Sequence, residues 1–127
     1  MEEKIIFMGT PHFAVPILKS LYNSNYKIET VYTQPPKKKS RGQKIGNSPV
    51  HLVATKLNIP VKCPEKINND EEFDFISNSK ANYIVVVAYG QIIPERILNI
   101  PNKIFLNIHA SLLPKWRGAA PIQRSII

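Results

Sequence analysis

Lys4-Ile-Ile-Phe-Met-Gly-Thr-Pro-His-Phe-Ala-Val-Pro-Ile-Leu-Lys-Ser-Leu21, near the start of the chain, changes its apolar period halfway. Lys4 to Met8 is a short apolar run of the kind expected for a strand buried on both faces. Gly9-Thr10-Pro11 reads as a turn. Thr10 suits a helix cap, Pro11 the first helical position, and Pro16 is tolerable only near that first turn. Phe13, Ala14, Ile17, Leu18 and Leu21 then fall at helical spacing on one face. Further along, Ile28 to Thr33 alternates as a second strand, Val50 to Leu57 reads as helix, and Ile59 to Lys62 as a short third strand. A helix over about Asn69 to Ser79 precedes a Val-rich fourth strand, Tyr83 to Ala88. A helical turn near Pro94 to Leu98 leads to a fifth strand, Ile104 to Ile108. Strands alternating with helices predict an α/β fold with a doubly wound parallel sheet and right-handed crossovers. No internal repeat or domain linker interrupts the pattern.

The 127 residues suffice for one small domain, and 43% hydrophobic content supports a core. The longest apolar run, around Ile84 to Tyr89, is far too short to cross a bilayer. Glu2 and Glu3 before a short apolar run do not make a secretory signal, and lone Cys63 cannot form an internal disulfide, so a reducing, cytoplasmic setting is expected. The net charge of +8 is unevenly spread. No acid occurs between Glu29 and Glu65, where Lys37, Lys38, Lys39, Arg41, Lys44, Lys56 and Lys62 fall. None follows Glu95 either. The acids gather in Asp70-Glu-Glu-Phe-Asp74, where a helix dipole favours them. Residues 35–49 hold Lys, Arg, Gly, Ser and Asn around a single large apolar residue, Ile45, and read as a long exposed basic loop. Lysines in a loop are usually just solvated, and taken alone these read so, although their clustering raises the case for a nucleic-acid partner.

Two features bear on chemistry. Gly9-Thr10-Pro11 has only one glycine, and Pro11 removes a backbone donor where a pyrophosphate would sit, so a nicotinamide enzyme is not expected. Asn107 and His109 lie two apart in the fifth strand and should project from one face, with backbones roughly 7 Å apart. An amide donor beside a group titrating near neutrality suits acyl transfer through a tetrahedral intermediate. A strand-end histidine in a structural hydrogen bond would show the same residue types and spacing. His12, His51, His109 and Cys63 show no metal-ligand spacing, so no metal is implied.

The run Asn107-Ile-His-Ala-Ser-Leu-Leu-Pro-Lys-Trp-Arg-Gly-Ala-Ala-Pro-Ile-Gln123 resembles the hallmark segment of the methionyl-tRNA formyltransferase family, a branch of the folate-dependent formyltransferases. The resemblance extends through Phe7-Met-Gly-Thr-Pro-His-Phe-Ala-Val-Pro16, Thr33-Gln-Pro35, Arg41-Gly42, Ser48-Pro49-Val50 and Val85-Val-Val-Ala-Tyr-Gly90. Asn-x-His and Ser-Leu-Leu-Pro mark the broad group. The Trp-Arg-Gly-Ala-Ala-Pro-Ile-Gln and Thr-Gln-Pro…Arg-Gly…Ser-Pro-Val segments narrow it to the tRNA-acting branch.

That resemblance implies a Rossmann-like formyltransferase domain moving a formyl group from 10-formyltetrahydrofolate to the α-amine of methionyl initiator tRNA, with no metal. It implies Asn107 and His109 as catalytic residues, and Ser111, Leu112, Leu113, Pro114, Tyr89 and Gly90 at the folate site. Around Tyr89, backbone groups would do most of the work, and the side chain fits core packing equally well. Arg41, with Lys37, Lys38, Lys39 and Lys44, would contact the tRNA acceptor arm. Pro36 stands where the family usually has an acid, Ser40 where it has glycine, and His12 where an acid is more common. The family's third catalytic group, an aspartate, lies past Ile127, as do the rest of the folate pocket and a carboxyl-terminal tRNA-binding barrel. Residues 1–127 therefore read as a partial catalytic domain, a truncated and inactive fragment that stops inside a helix after Pro121. Its sheet would end on a bare apolar strand at Ile104 to Ile108, leaving it marginally stable or prone to associate, although the family expectation is a monomer. Two other readings remain: a formyltransferase for an amino sugar nucleotide or glycinamide ribonucleotide, and a non-catalytic RNA-binding remnant.

Overall fold

Strand β1 (Lys4–Gly9) is central because it has no polar face: Ile5, Ile6, Phe7 and Met8 are all buried. The computed structural model, which describes residues 3–38, 45–109 and 120–121, pairs it in parallel with β2 (Lys27–Tyr32) on one side. Two short strands, β3 (Lys37–Lys38) and β4 (Ile45–Gly46), pair antiparallel apart from this sheet. Beyond β2 lies β5 (Val61–Lys62). On the other side of β1 come β6 (Tyr83–Val87) and β7 (Ile104–Asn107), both parallel, and then β8 (Ala120–Pro121), antiparallel to β7. The order β5-β2-β1-β6-β7-β8 runs outward from β1 in one direction and then returns to build the other half. The expected doubly wound α/β sheet is thus present, with its switch point between β1 and β6.

Alternation along β1 and β6 divides the core between the two faces. Ile6, Met8, Ile84 and Val86 pack toward α3 (Asp70–Asn78) and α4 (Glu95–Leu98), with Phe105 from β7. Ile5, Phe7, Val85 and Val87 pack toward α1 (Val15–Tyr22) and α2 (Pro49–Lys56). Helix boundaries follow local chemistry. Ser48 Oγ accepts from His51 N at 3.0 Å with Pro49 opening α2, and Asn58 leaves that helix at φ 61°. Asn69 Oδ1 accepts from Glu72 N at 2.8 Å to cap α3. At the far end of α3, Lys103 Nζ donates to Ser79 O at 2.8 Å, and burial lowers its pKa below the usual lysine value. No helix of the described residues is long and apolar enough to cross a membrane.

Four local readings change. Thr10 does not cap a helix. Pro11 is extended, and a 3-10 turn over His12–Ala14 comes before α1, which starts with Pro16 in its first turn. Because a 3-10 turn advances 120° per residue, Phe13 rotates off the buried face and is 48% exposed. The third strand shortens to Val61–Lys62, although Pro60 O still accepts from Val31 N at 2.9 Å. The basic loop is a hairpin at its foot, with Lys37 opposite Gly46 and Lys38 opposite Ile45. The fifth strand is not a bare edge, since Leu106 pairs with Pro121 and Asn107 with Ala120. Residues 120–121 are accordingly strand, and the expected helix after Pro121 lies outside the described residues.

Candidate functional site

All five parallel strands point their carboxyl ends at one edge, where open α/β sheets place ligands. Asn107 is the last residue of β7, opposite Val86, and Ile108 N continues the ladder to Val86 O at 2.9 Å. Asn107 Nδ2 lies 3.3 Å from His109 Nε2, so the two residues predicted to share a face are in contact. Because the amide nitrogen is a donor, this geometry requires the tautomer with its proton on Nδ1. His109 is exposed and Asn107 half-buried, leaving the pair open to a substrate. The arrangement supplies a directed N–H and a proton-carrying ring at one point.

Neighbouring β6 ends in an unusual turn. Ala88 sits at φ 51° and Gly90 at φ 103°. Alanine in that region is strained by about 1–3 kcal/mol, so surrounding contacts must hold it. Thr10 Oγ1 donates to Tyr89 O at 2.6 Å, Gln34 Nε2 donates to Gly90 O at 2.8 Å, and Gln91 Nε2 donates to Gln34 Oε1 at 2.8 Å. The bonding continues outward. Gln34 N donates to Thr10 Oγ1 at 3.2 Å, and Thr33 Oγ1 meets Ser48 Oγ at 2.6 Å. A bonded belt thus crosses the carboxyl ends of β2, β1 and β6. Tyr89 points inward and is only 2% exposed. Its hydroxyl has no hydrogen-bond partner among the described residues, and burial, then the nearby Glu72, raises its pKa. At this position the backbone carries the contacts with the rest of the edge, and the ring is core. Ile92, 77% exposed, sets an apolar side chain just past the turn.

Beside Thr10 on the α1/α2 face, a groove of about 920 Å³ opens toward the foot of the basic hairpin. Val15, Pro16, Leu52 and Val53 give it an apolar floor, and Lys19, Lys37 and Lys56 supply positive charge. His12, which is exposed, also lines it. Lys37 and Lys38 form β3. Lys39, Arg41, Lys44, Ser111, Leu112, Leu113 and Pro114 lie outside the described residues.

The pattern reading passed over several residues that organise this edge. Thr33, Gln34 and Ser48 sit in the quoted Thr-Gln-Pro and Ser-Pro-Val segments without an assigned role, and Gln91 follows Val85 to Gly90. Glu72 reads as one of several first-turn acids, yet it is 4% exposed. It accepts from Tyr32 Oη at 2.6 Å and pairs with Lys62 Nζ at 2.8 Å. Lys62 Nζ also stands 4.0 Å from the centre of the Phe75 ring. This cluster fastens β5 and α3 beneath the edge that carries the turn.

Comparison with known proteins agrees with these features. The family model described as formyl transferase matches residues 3–127. A methionyl-tRNA formyltransferase of Pelagibacter ubique (strain HTCC1062) is 60% identical over 128 residues, covering 100% of this chain and 41% of that protein. Those of Rickettsia bellii (strain RML369-C) and Clostridium perfringens (strain SM101 / Type A) are each 53% identical. Each match covers 98% of this chain, and 41% and 40% of the respective relative. The chain thus spans about two-fifths of the length of the curated relatives it matches. A match that runs through nearly every residue, on a doubly wound sheet with Asn107 and His109 in contact at its carboxyl edge, leaves one conclusion: this chain belongs to the formyl transferase family.

Proposed function

We propose that this chain supplies the amino-terminal part of the catalytic domain of an enzyme that formylates the α-amine of methionyl initiator tRNA, with 10-formyltetrahydrofolate as donor substrate, in the cytoplasm. The observation that carries this is the 3.3 Å contact between Asn107 and His109 at the open end of β7, next to the switch point. The donor supplies an activated formyl group on nitrogen. Asn107 Nδ2–H donates to the formyl oxygen as negative charge builds there, a contact strongest in the transition state. His109 carries the proton released by the attacking amine to the departing nitrogen, which balances the step without a metal.

The turn at Ala88–Gln91 suits the flat end of the donor. Its backbone is fixed by the belt, and exposed Ile92 gives an apolar surface beside it. Tyr89 and Gly90 contribute there through their backbone, and Ser111, Leu112, Leu113 and Pro114 join them as donor-binding residues. On the other side of the switch point, the basic groove and hairpin receive the tRNA. Lys37, Lys38, Lys39 and Lys44 contact phosphates and Arg41 gives a directed, paired contact. The basic groove beside the sheet edge favours this acceptor over a small sugar or ribonucleotide amine.

The test is a chimera in which these residues replace the matching segment of a full-length relative. It should formylate charged initiator tRNA and act poorly on an amino sugar nucleotide or glycinamide ribonucleotide. Asn107→Ala in that chimera should lose about 3–4 kcal/mol of transition-state stabilisation, read in kcat with little change in donor affinity. A loss of less than tenfold, with folding intact, would remove Asn107 from the mechanism. Binding of tRNA without any turnover by the unmutated chimera would favour an RNA-binding role instead.

A further inference from the structure

Gln34 occupies a position that the chemistry above does not use. It lies three residues before the first lysine of the basic hairpin, yet its side chain ends in the turn beyond β6. Nε2 donates to Gly90 O at 2.8 Å while Oε1 accepts from Gln91 Nε2 at 2.8 Å, so both functional atoms of one amide are committed to that turn. Gln91 is itself tethered, since its Oε1 accepts from Ile67 N at 2.7 Å. The fit leaves no slack. A Cβ built on Gly90 would stand 2.8 Å from Gln34 Nε2, and Gly90 holds φ 103°, where other residues are strained. On the other side, Gln34 N is bonded to Thr10 Oγ1, which also holds Tyr89 O. Displacing the segment that leads into the hairpin therefore pulls on the turn, and reshaping the turn pulls on the hairpin's root.

We infer that Gln34 is a positioning residue that links the two substrate sites: it sets the Ala88–Gln91 turn at the formyl-donor side and ties it to the foot of the tRNA-contacting hairpin. This rests on the formyl-transfer reading above. The mechanism is a shared amide. When RNA fixes the hairpin's root, the turn loses freedom it would otherwise surrender on binding the donor, so each ligand favours the other.

The experiment measures the dissociation constant of 5-formyltetrahydrofolate, an unreactive isomer of the donor, with and without uncharged initiator tRNA, on the full-length chimera. In the unmutated protein, tRNA should tighten binding of this probe by at least about fivefold, the lower end of ordinary linkage. Gln34→Met keeps length and bulk but removes both hydrogen bonds. It should reduce the linkage to within about twofold and weaken probe binding in the absence of tRNA. Gln91→Ala removes one arm of the clasp and should lose part of the linkage, which gives a second route if Gln34→Met folds poorly. A Gln34→Met protein that melts earlier but keeps the full linkage would show Gln34 to be a structural brace and overturn the inference. So would an unmutated chimera that formylates but shows no linkage, in which case the functional reading stands alone. An unmutated chimera that binds both ligands without formylating would instead overturn the functional reading and this inference with it.

Discussion

Lys62→Met should be among the most damaging single changes outside the site. Lys62 reaches Glu72 Oε1 at 2.8 Å, where the carboxylate's only other side-chain donor among the described residues is Tyr32 Oη at 2.6 Å. The Glu72 and Lys62 side chains are 5% and 23% exposed, so solvent cannot replace the lost partner well. Leaving a buried carboxylate unpaired costs about 3–5 kcal/mol, and the ammonium's contact with the Phe75 ring adds about 1 kcal/mol. Domains are commonly stable by only about 5–15 kcal/mol, so this one change removes a large share. The effect should be worst at β5, which has only two residues and few backbone bonds to replace the side-chain tie. Urea unfolding of the chimera gives the number, with Asp70→Asn as control. Asp70 pairs with Arg96 at 2.9 Å, but that pair is exposed, and losing it should cost no more than about 1 kcal/mol. Glu72→Gln added to Lys62→Met should recover much of the loss, since no buried charge then lacks a partner. A Lys62→Met protein within 1 kcal/mol of its parent, or a double variant as unstable as the single losses added together, would refute the argument.

Alkaline pH should destabilise the fold through Tyr32 and Tyr89. Burial first, and Glu72 second, raise both phenols above their usual 10.0, so their contribution is complete below that pH. It is lost above it, at about 1.4 kcal/mol per pH unit for each tyrosine; Tyr89→Phe should reduce the slope in a pH series of melts. Ser48→Ala removes both the α2 cap and the nearer of two hydroxyl partners of Thr33 and should cost about 1–2 kcal/mol by urea unfolding. Changing Lys37, Lys38 and Lys39 to Ala should flatten the salt dependence of tRNA binding by roughly 0.7–0.9 in log–log slope per lost phosphate contact. Arg41→Ala should weaken binding more than any single lysine change, as direct titration would show.

The sheet was legible where a single strand carries its own signature. Ile5 to Met8 and Ile84 to Val87 are apolar on both faces, and that pattern alone marks central strands. The acids at the start of α3 located that helix, but they could not show that Glu72 turns inward, because first-turn acids satisfy the dipole whether buried or exposed. β8 escaped notice because two residues have no period, and their pairing with β7 crosses a long intervening segment. The Asn107–His109 contact was legible because strand geometry fixes the relation of i to i+2. Gln34 and Gln91, 57 residues apart, bond through side-chain amides, an arrangement without a repeat to read.

The pairing of Asn107 with Ala120 has one more consequence. Directly opposed residues of antiparallel strands stand only about 5 Å apart. Asn107 and Ala120 therefore face each other across one rung of the sheet. The stretch of sequence between them is a natural cassette. Its contents should be exchangeable between relatives with little disturbance to the scaffold, because both splice points are held by the same backbone ladder. Within this chain, the cassette carries Ser111 to Pro114 together with Trp116 and Arg117, and Asn107 stands just outside its first splice point. Transplanting it from a relative with a different amine acceptor would test whether selectivity can be moved as a unit while the sheet remains that of the host.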